Sequence, residues 1–234
     1  MSPEIKRRIQ ITLAVAIVVA GVRTAYILHH RYATPGQAVQ PATALNPDYY
    51  VTPKRLHPYD LRSARQLTEQ PVWVKEGYRY TYYPYQNRRT DFKHEAGLLL
   101  PIEKLQITDV VTEATPGSVD QRQVMAVFEK EGRSYAFSIG SVKGSDYQIY
   151  SDEMLYIQDP HELYKHWPGD VWEAISQHQV KPGMNELQAY FAIGMGVPER
   201  QSDPNVKTVN YPNGGKPVSV TYRNGKAAEI KGGS

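Results

Sequence analysis

The chain has 234 residues, 41% of them hydrophobic, with 27 Lys+Arg against 24 Asp+Glu, a formal charge of +3 and a pI near 8.8. That length holds one or two domains, and the absence of cysteine excludes disulfides, thiol nucleophiles, thiolate metal sites and a lipidated N-terminal cysteine together. The basic pI is no nucleic-acid footprint: of the charged residues, five basic and only Glu4 among the acidic lie in 1–31, leaving 22 basic and 23 acidic groups, a net of −1, for 32–234.

The first predicted element is the apolar run Ile9 to Leu28, IQITLAVAIVVAGVRTAYIL. As a helix it spans about 30 Å, the thickness of a bilayer's hydrocarbon core. Lys6, Arg7 and Arg8 stand directly before it, which predicts a cytoplasmic N-terminus and an extracytoplasmic, periplasmic C-terminal bulk. Residues 1–28 thus read as a cytoplasmic tail and single-pass signal-anchor in the inner membrane, in contact with lipid through 9–28. Arg23 lies near enough to Leu28 to snorkel outward. A cleaved signal peptide is the competing reading, since the unbroken part Ile9 to Val22 is short. Its small residues Val18-Val19-Ala20 fall inside the run, however, and cleavage after Ala25 would put the disfavoured Arg23 at −3.

Residues 29–58 read as an extended linker, with four prolines in 29–55 and little aliphatic periodicity. Its Tyr49-Tyr50 pair is the first candidate to touch a folded surface. A β-rich domain is predicted over 59–160. It opens with a short helix capped by Asp60, with Leu61, Ala64 and Leu67 on one face and Pro71 as the stop. From Val72 the period is two: VWVKEGYRYTYY predicts strand, turn at Glu76-Gly77, then strand, with Tyr78, Tyr80 and Tyr82 opposite Arg79 and Thr81. Further strands are predicted at 98–111, 122–130, 134–140 and 147–157, with a tight hairpin at Glu131-Gly132. Short strands with regular turns predict a small antiparallel barrel or sandwich of SH3-like size.

Residues 161–234 predict an α+β module. HELYKHW (161–167) reads as a helical turn, and Asp170-Val-Trp-Glu173 has the form of a capping box opening a helix. Asn185-Glu-Leu-Gln188 repeats that form, and its helix runs to Gly194. Then VKTVNY, PVSVTY and AAEI, separated by turns containing Asn213-Gly214 and Asn224-Gly225, predict a three-stranded meander. Val218, Val220 and Tyr222 lie on one face of it.

The module resembles the SmpA/BamE-like outer-membrane assembly lipoproteins and the related β-lactamase-inhibitor-protein fold. The residues that carry the resemblance are Val180, Gly183-Met184-Asn185-Glu186-Leu187-Gln188, Gly194 to Pro198 and the Asn-Gly hairpins, over roughly 170–230. It implies a module that binds other envelope proteins and performs no catalysis. That family is anchored by a lipidated cysteine, absent here, and has no counterpart of the β-rich region 72–157.

Chemistry-bearing constellations are sparse. His161-Glu162-Leu-Tyr-Lys-His166 resembles the zinc-protease HExxH with one residue too many; i,i+5 places the histidines about 140° apart on a helix. His94-Glu95 has no partner motif. No G-x-S-x-G occurs, and Gly194-Met-Gly196 lacks the context of a phosphate loop. The acids Asp152-Glu153 and Asp109/Glu113 read as solvated, and Arg88-Arg89 as a loop tip. No catalytic, cofactor-binding or metal residue is therefore assigned. Tyrosine is the outlier at 18 against four Phe and three Trp. Tyr78, Tyr80, Tyr82, Tyr83 and Tyr85 form either one wall of the core or a platform for a sugar ring or partner subunit. With Met184 and Gln188 they are the candidate partner or ligand surface. The sequence-level expectation is a non-catalytic accessory or assembly subunit of an envelope complex. The alternatives are a cell-wall glycan-binding module and, behind it, a periplasmic hydrolase.

Overall fold

The computed structural model describes residues 3–33, 46–114, 117–118, 120–200, 203 and 205–232. The chain divides into two compact units, Met1–Tyr49 and Tyr50–Ser234, each described by itself.

The first unit holds helix α1 (Pro3–Ala33). Val15, Val18, Val19 and Val22 stand on one side of it and Ile17, Ile27 and Leu28 on others, all exposed. At about 100° per residue these positions leave no polar stripe, unlike a helix made to lie on a globular core. Among the described residues no helix is long and apolar enough to cross a membrane. The side chains of 8–13, which open the predicted span, lie outside the described residues, as do those of Lys6 and Arg8; Arg7 and Arg23 are exposed.

The expected linker is shorter than its prolines suggested. Helix α1 takes it up to Ala33, residues 34–45 lie outside the described set, and from Val51 the chain is packed. Tyr49 and Tyr50 are exposed, and Val51 packs against the second of the cores described below. The backbone N–H groups of Leu56 and His57 donate to the Asp152 carboxylate at 3.0 and 2.8 Å, strapping this segment down.

In the second unit, Asp60 caps α2 (Leu61–Ala64) through a box with Ser63, as its short polar side chain favours. Ala64 and Leu67 are fully buried and Leu61 packs beside them. Strands follow in order: β1 (Val72–Val74), β2 (Thr81–Gln86), β3 (Arg89–Thr90), β4 (Gly97–Leu98), β5 (Lys104–Leu105), β6 (Ile107–Ala114), β7 (Gln121–Lys130), β8 (Arg133–Lys143) and β9 (Asp146–Ile149). Next come α3 (Ser151–Met154), β10 (Leu155–Tyr156), α4 (Pro160–Leu163), α5 (Gly169–Ser176), α6 (Glu186–Ile193), β11 (Val197–Pro198), β12 (Val206–Tyr211), β13 (Val218–Arg223) and β14 (Lys226–Gly232).

The largest sheet is antiparallel and runs β3-β2-β8-β7-β6, with β4 beside β2 and β9 beside β8. It curls rather than closing by a strand ladder. Its two ends meet through a side chain, where Glu113 on β6 accepts from the Thr90 N–H at 2.9 Å and the Thr90 hydroxyl at 2.7 Å. The β7–β8 hairpin turns at Glu131-Gly132 as expected, both residues at positive φ (52° and 72°).

The second sheet, β10-β1-β5, is the hinge of the architecture. Successive side chains of a strand point to opposite faces. Val72, Val74, Leu105 and Leu155 accordingly enter a first core with Phe128, Phe137 and Leu67. Trp73 and Tyr156 enter a second core with Trp167, Phe191, Tyr211 and Tyr222. The predicted regions 59–160 and 161–234 thus have separate cores and one shared wall.

Several expected elements differ. Val72–Val74 and Thr81–Gln86 are not a hairpin: β1 pairs with β10 and β5, while β2 pairs with β3, β4 and β8. The Glu76-Gly77 turn does not return the chain because Tyr78 sits at φ 60° and its N–H donates to Leu99 O instead. The strand expected at 98–111 is broken at Pro101-Ile102, Ile102 being at φ 55°, and the one at 147–157 is interrupted by α3. Helix α5 begins at Gly169 with Pro168 as its N-cap, so Asp170 lies in the first turn and forms no capping box. The box Asn185–Gln188 is present. The C-terminal meander is present with one more strand, giving the order β11-β12-β13-β14.

Candidate functional site

The five tyrosines do not form one face. Tyr82 is buried, edge-on to Phe128 and Tyr135 at 5.6 and 5.1 Å, and Tyr80 packs against the same core. Tyr78 reaches the other way: its ring lies edge-on to His178 at 6.4 Å and leaves no room for a Cβ on Gly214, 2.8 Å from the ring. Tyr83 and Tyr85 sit on the outside of the curled sheet. There Tyr83 meets Phe92 at 5.5 Å and Tyr85 covers a small cluster of Met125, Val127 and Ala136.

Met184 and Gln188 are also inside. Gly183, at φ 87°, donates its N–H to Ala227 O at 2.8 Å, and Ala227 returns an N–H to Met184 O at 2.8 Å. Met184 then plugs the second core, and Gln188 completes the capping box by accepting from Asn185 N–H at 2.8 Å. The spacing Gly183-Met184-x-x-x-Gln188 is accounted for by how this helix starts.

The exposed apolar surface of the C-terminal module lies at the far end of α6. Gly194 ends the helix at φ 82°, so close to the β1–β2 connection that a Cβ would stand 2.7 Å from Gly77 O. Two residues on, a Cβ on Gly196 would lie 2.4 Å from Val209 Cγ1 and 2.7 Å from the Tyr211 ring. Only glycine permits these approaches. The residue between them, Met195, is therefore held on the surface, 45% exposed, with Val197 beyond it on edge strand β11 at 66%.

Met195 and Gly196 line an open groove of about 480 Å³ together with Leu187, Tyr190, Tyr211 and Glu186. Its rim is polar. Arg79 Nη1 lies 2.7 Å from Glu76 Oε2 and 3.6 Å from Met195 Sδ, and Tyr80 donates to Glu76 at 3.2 Å. Lys207 pairs with Glu186 at 2.6 Å. Burial, with Glu76 nearby, raises the Tyr190 phenol well above its ordinary value, so its hydroxyl stays protonated there. Under the floor, the Tyr211 and Tyr222 hydroxyls are 2.7 Å apart and burial pushes the Tyr211 phenol up to about 12. The result is an apolar strip framed by fixed ion pairs, suited to contact with another surface. The sequence offered Gly194 and Gly196 as a motif without context; the partners that make both necessary lie on β12 and beside β1, out of reach of local reading.

The other chemical candidates separate. His161 stacks on Trp172 at 4.1 Å, with its Nδ1 2.9 Å from Asp159. Among the described residues no group of three or more His, Asp or Glu side chains is placed to hold a metal ion. Asp152, read as a solvated acid, is buried as the strap anchor. Comparison with protein-family models, with curated proteins and with solved structures gives no match.

Proposed function

We propose that this chain is a single-pass envelope protein, tethered by the run Ile9 to Leu28, whose C-terminal bulk docks a neighbouring protein as an accessory or assembly subunit of a larger complex. The observation that carries the reading is the groove beside α6, where two obligatory glycines hold Met195 out in solvent next to Val197. An exposed thioether and a valine framed by Glu76–Arg79 and Glu186–Lys207 suit an apolar segment with charges at its edges. The tether is read from the sequence, where Lys6, Arg7 and Arg8 precede the apolar run and favour a cytoplasmic N-terminus. The resemblance to the SmpA/BamE-like module points to the same class of work.

The test is extraction of the tagged full-length protein from native membranes in mild detergent, followed by a native gel. One large discrete species is expected, and Met195→Lys with Val197→Asp should release the chain from it while leaving its melting temperature unchanged. Wild-type migration as a lone species near 26.5 kDa plus detergent, or a double variant that stays in the complex, overturns the proposal. A narrower second reading, glycan binding, rests on Tyr83 and Phe92 on the outer sheet face. Sedimentation with cell wall that is unaffected by Tyr83→Ala removes it.

A further inference from the structure

Where the two ends of the curled sheet meet, a concave site of about 450 Å³ is lined by Arg88, Arg89 and Arg122, with Thr90, Glu113 and Phe92. The three arginines are brought together only by the fold. Arg88 is in the β2–β3 turn, Arg89 begins β3, and Arg122 comes from β7, next to the strand β6 at the opposite end of the sheet. Arg122 Nη2 donates to the Thr112 carbonyl at 2.6 Å, which fixes the guanidinium at the site's edge. The one carboxylate present, Glu113, has both oxygens occupied by Thr90, closing the sheet. Among the described residues none of the three arginines forms an ion pair. Three guanidiniums against one carboxylate leave a local charge of about +2.

A second feature points the same way. Asn87 and Arg88 occupy the two central positions of the turn at φ 50° and 60°. A turn of this kind favours Asn then Gly, because a side chain at the second position is crowded at positive φ. An arginine there carries a backbone cost, and strain of that kind concentrates where a side chain must be presented.

We infer that this site binds a phosphate monoester. The charge matches, since such a group carries about −1.5 to −2 at pH 7, and planar guanidinium forks pair with phosphate oxygens two at a time. The cavity is larger than a phosphate, which leaves room beside Phe92 for the body that carries it. Sugar phosphates, phosphatidate headgroups and free phosphate share this chemistry, and the test separates them.

The full-length protein in neutral detergent is titrated calorimetrically with inorganic phosphate, glucose 1-phosphate and a short-chain phosphatidate, with acetate as the carboxylate control. Saturable binding of the phosphates, with acetate at least about tenfold weaker, is expected, and the tightest of the three identifies the source. Arg88→Gly is the decisive variant, because glycine relieves the turn. Its melting temperature should hold or rise while phosphate affinity falls about tenfold, as loss of a charge-assisted pair predicts. Arg122→Gln should weaken binding similarly. Absence of saturable phosphate binding, equal affinity for acetate, or unchanged affinity in Arg88→Gly overturns the assignment.

Discussion

The two cores of the Tyr50–Ser234 unit are built from different side chains across one wall. The first is mainly aliphatic, with Val72, Val74, Leu67, Leu99, Ile107 and Val110 around Phe128 and Phe137. The second is aromatic: Trp167 lies 4.5 Å from Tyr164 and 5.1 Å from Phe191 between ring centroids, and Trp73 and Tyr156 reach it from the wall. In β1 the consecutive residues Val72, Trp73 and Val74 are divided between them, so three residues commit the chain to both. The lesson is that a domain boundary drawn from composition can fall between two cores that share a strand, β1 contributing side chains to each.

The largest effect that tests this comes at Trp73. It is 7% exposed and its ring is covered by Lys104 Nζ at 5.5 Å. Trp73→Ala should cost about 3–5 kcal/mol of unfolding free energy. Urea unfolding followed by tryptophan fluorescence and far-UV circular dichroism should still give one coincident transition at lower urea. Two separated transitions, with the β-rich core surviving the loss of the aromatic one, would break the comparison.

The next effect is confined to the aromatic side. Tyr211 and Tyr222 are both buried, with their hydroxyls paired at 2.7 Å. Tyr222→Phe leaves the Tyr211 hydroxyl without that partner, at a cost of about 1–3 kcal/mol, whereas changing both to Phe restores most of it. The same pair gives a pH dependence. Unfolded tyrosine ionises near pH 10, while burial holds the Tyr211 proton up to about 12 and raises Tyr222 as well. The folded state then holds more protons, so this contribution is complete below pH 10 and is lost as pH rises through about 12. The unfolding midpoint of the wild type should fall over that window, and more steeply than that of the double Phe variant. Equal slopes would show that the pair does not titrate with folding.

How far the sequence reached follows the same division between local and distant causes. Asp60, Asn185, Glu131-Gly132 and the Asn-Gly turns act within four residues, and the elements they start or reverse were legible. Two helices before an antiparallel sheet followed from them. The partners of β1 were not legible, because Lys104-Leu105 and Leu155-Tyr156 lie far along the chain and Glu76-Gly77 offers a nearer turn. The alternating tyrosines misled for a related reason: φ 60° at Tyr78 resets the alternation, which turns Tyr78 toward His178 and Gly214, Tyr80 and Tyr82 into the first core, and Tyr83 outside. The groove at Met195 and the meeting of Arg122 with Arg88 depend on sheet curvature and close backbone approach, which no local pattern encodes.

The smallest effect compares the two capping boxes, one for each core. Asn185 and Asp60 each accept from the backbone N–H three residues on, at 2.8 and 2.7 Å. Asn185→Ala should cost about 1 kcal/mol, with the same loss at pH 7 and pH 3, because an amide does not titrate. Asp60 differs in being ionisable. Its hydrogen bonds from Ser63 hold the carboxyl below its usual 3.8, so its contribution is present above that pH and is lost as pH falls through the lowered value. Asp60→Asn should therefore trail the wild type at neutral pH and converge with it in acid, measured as urea midpoints across the range. A constant gap between them would mean that the cap works by shape alone and that the charge contributes nothing to the one-turn helix it opens.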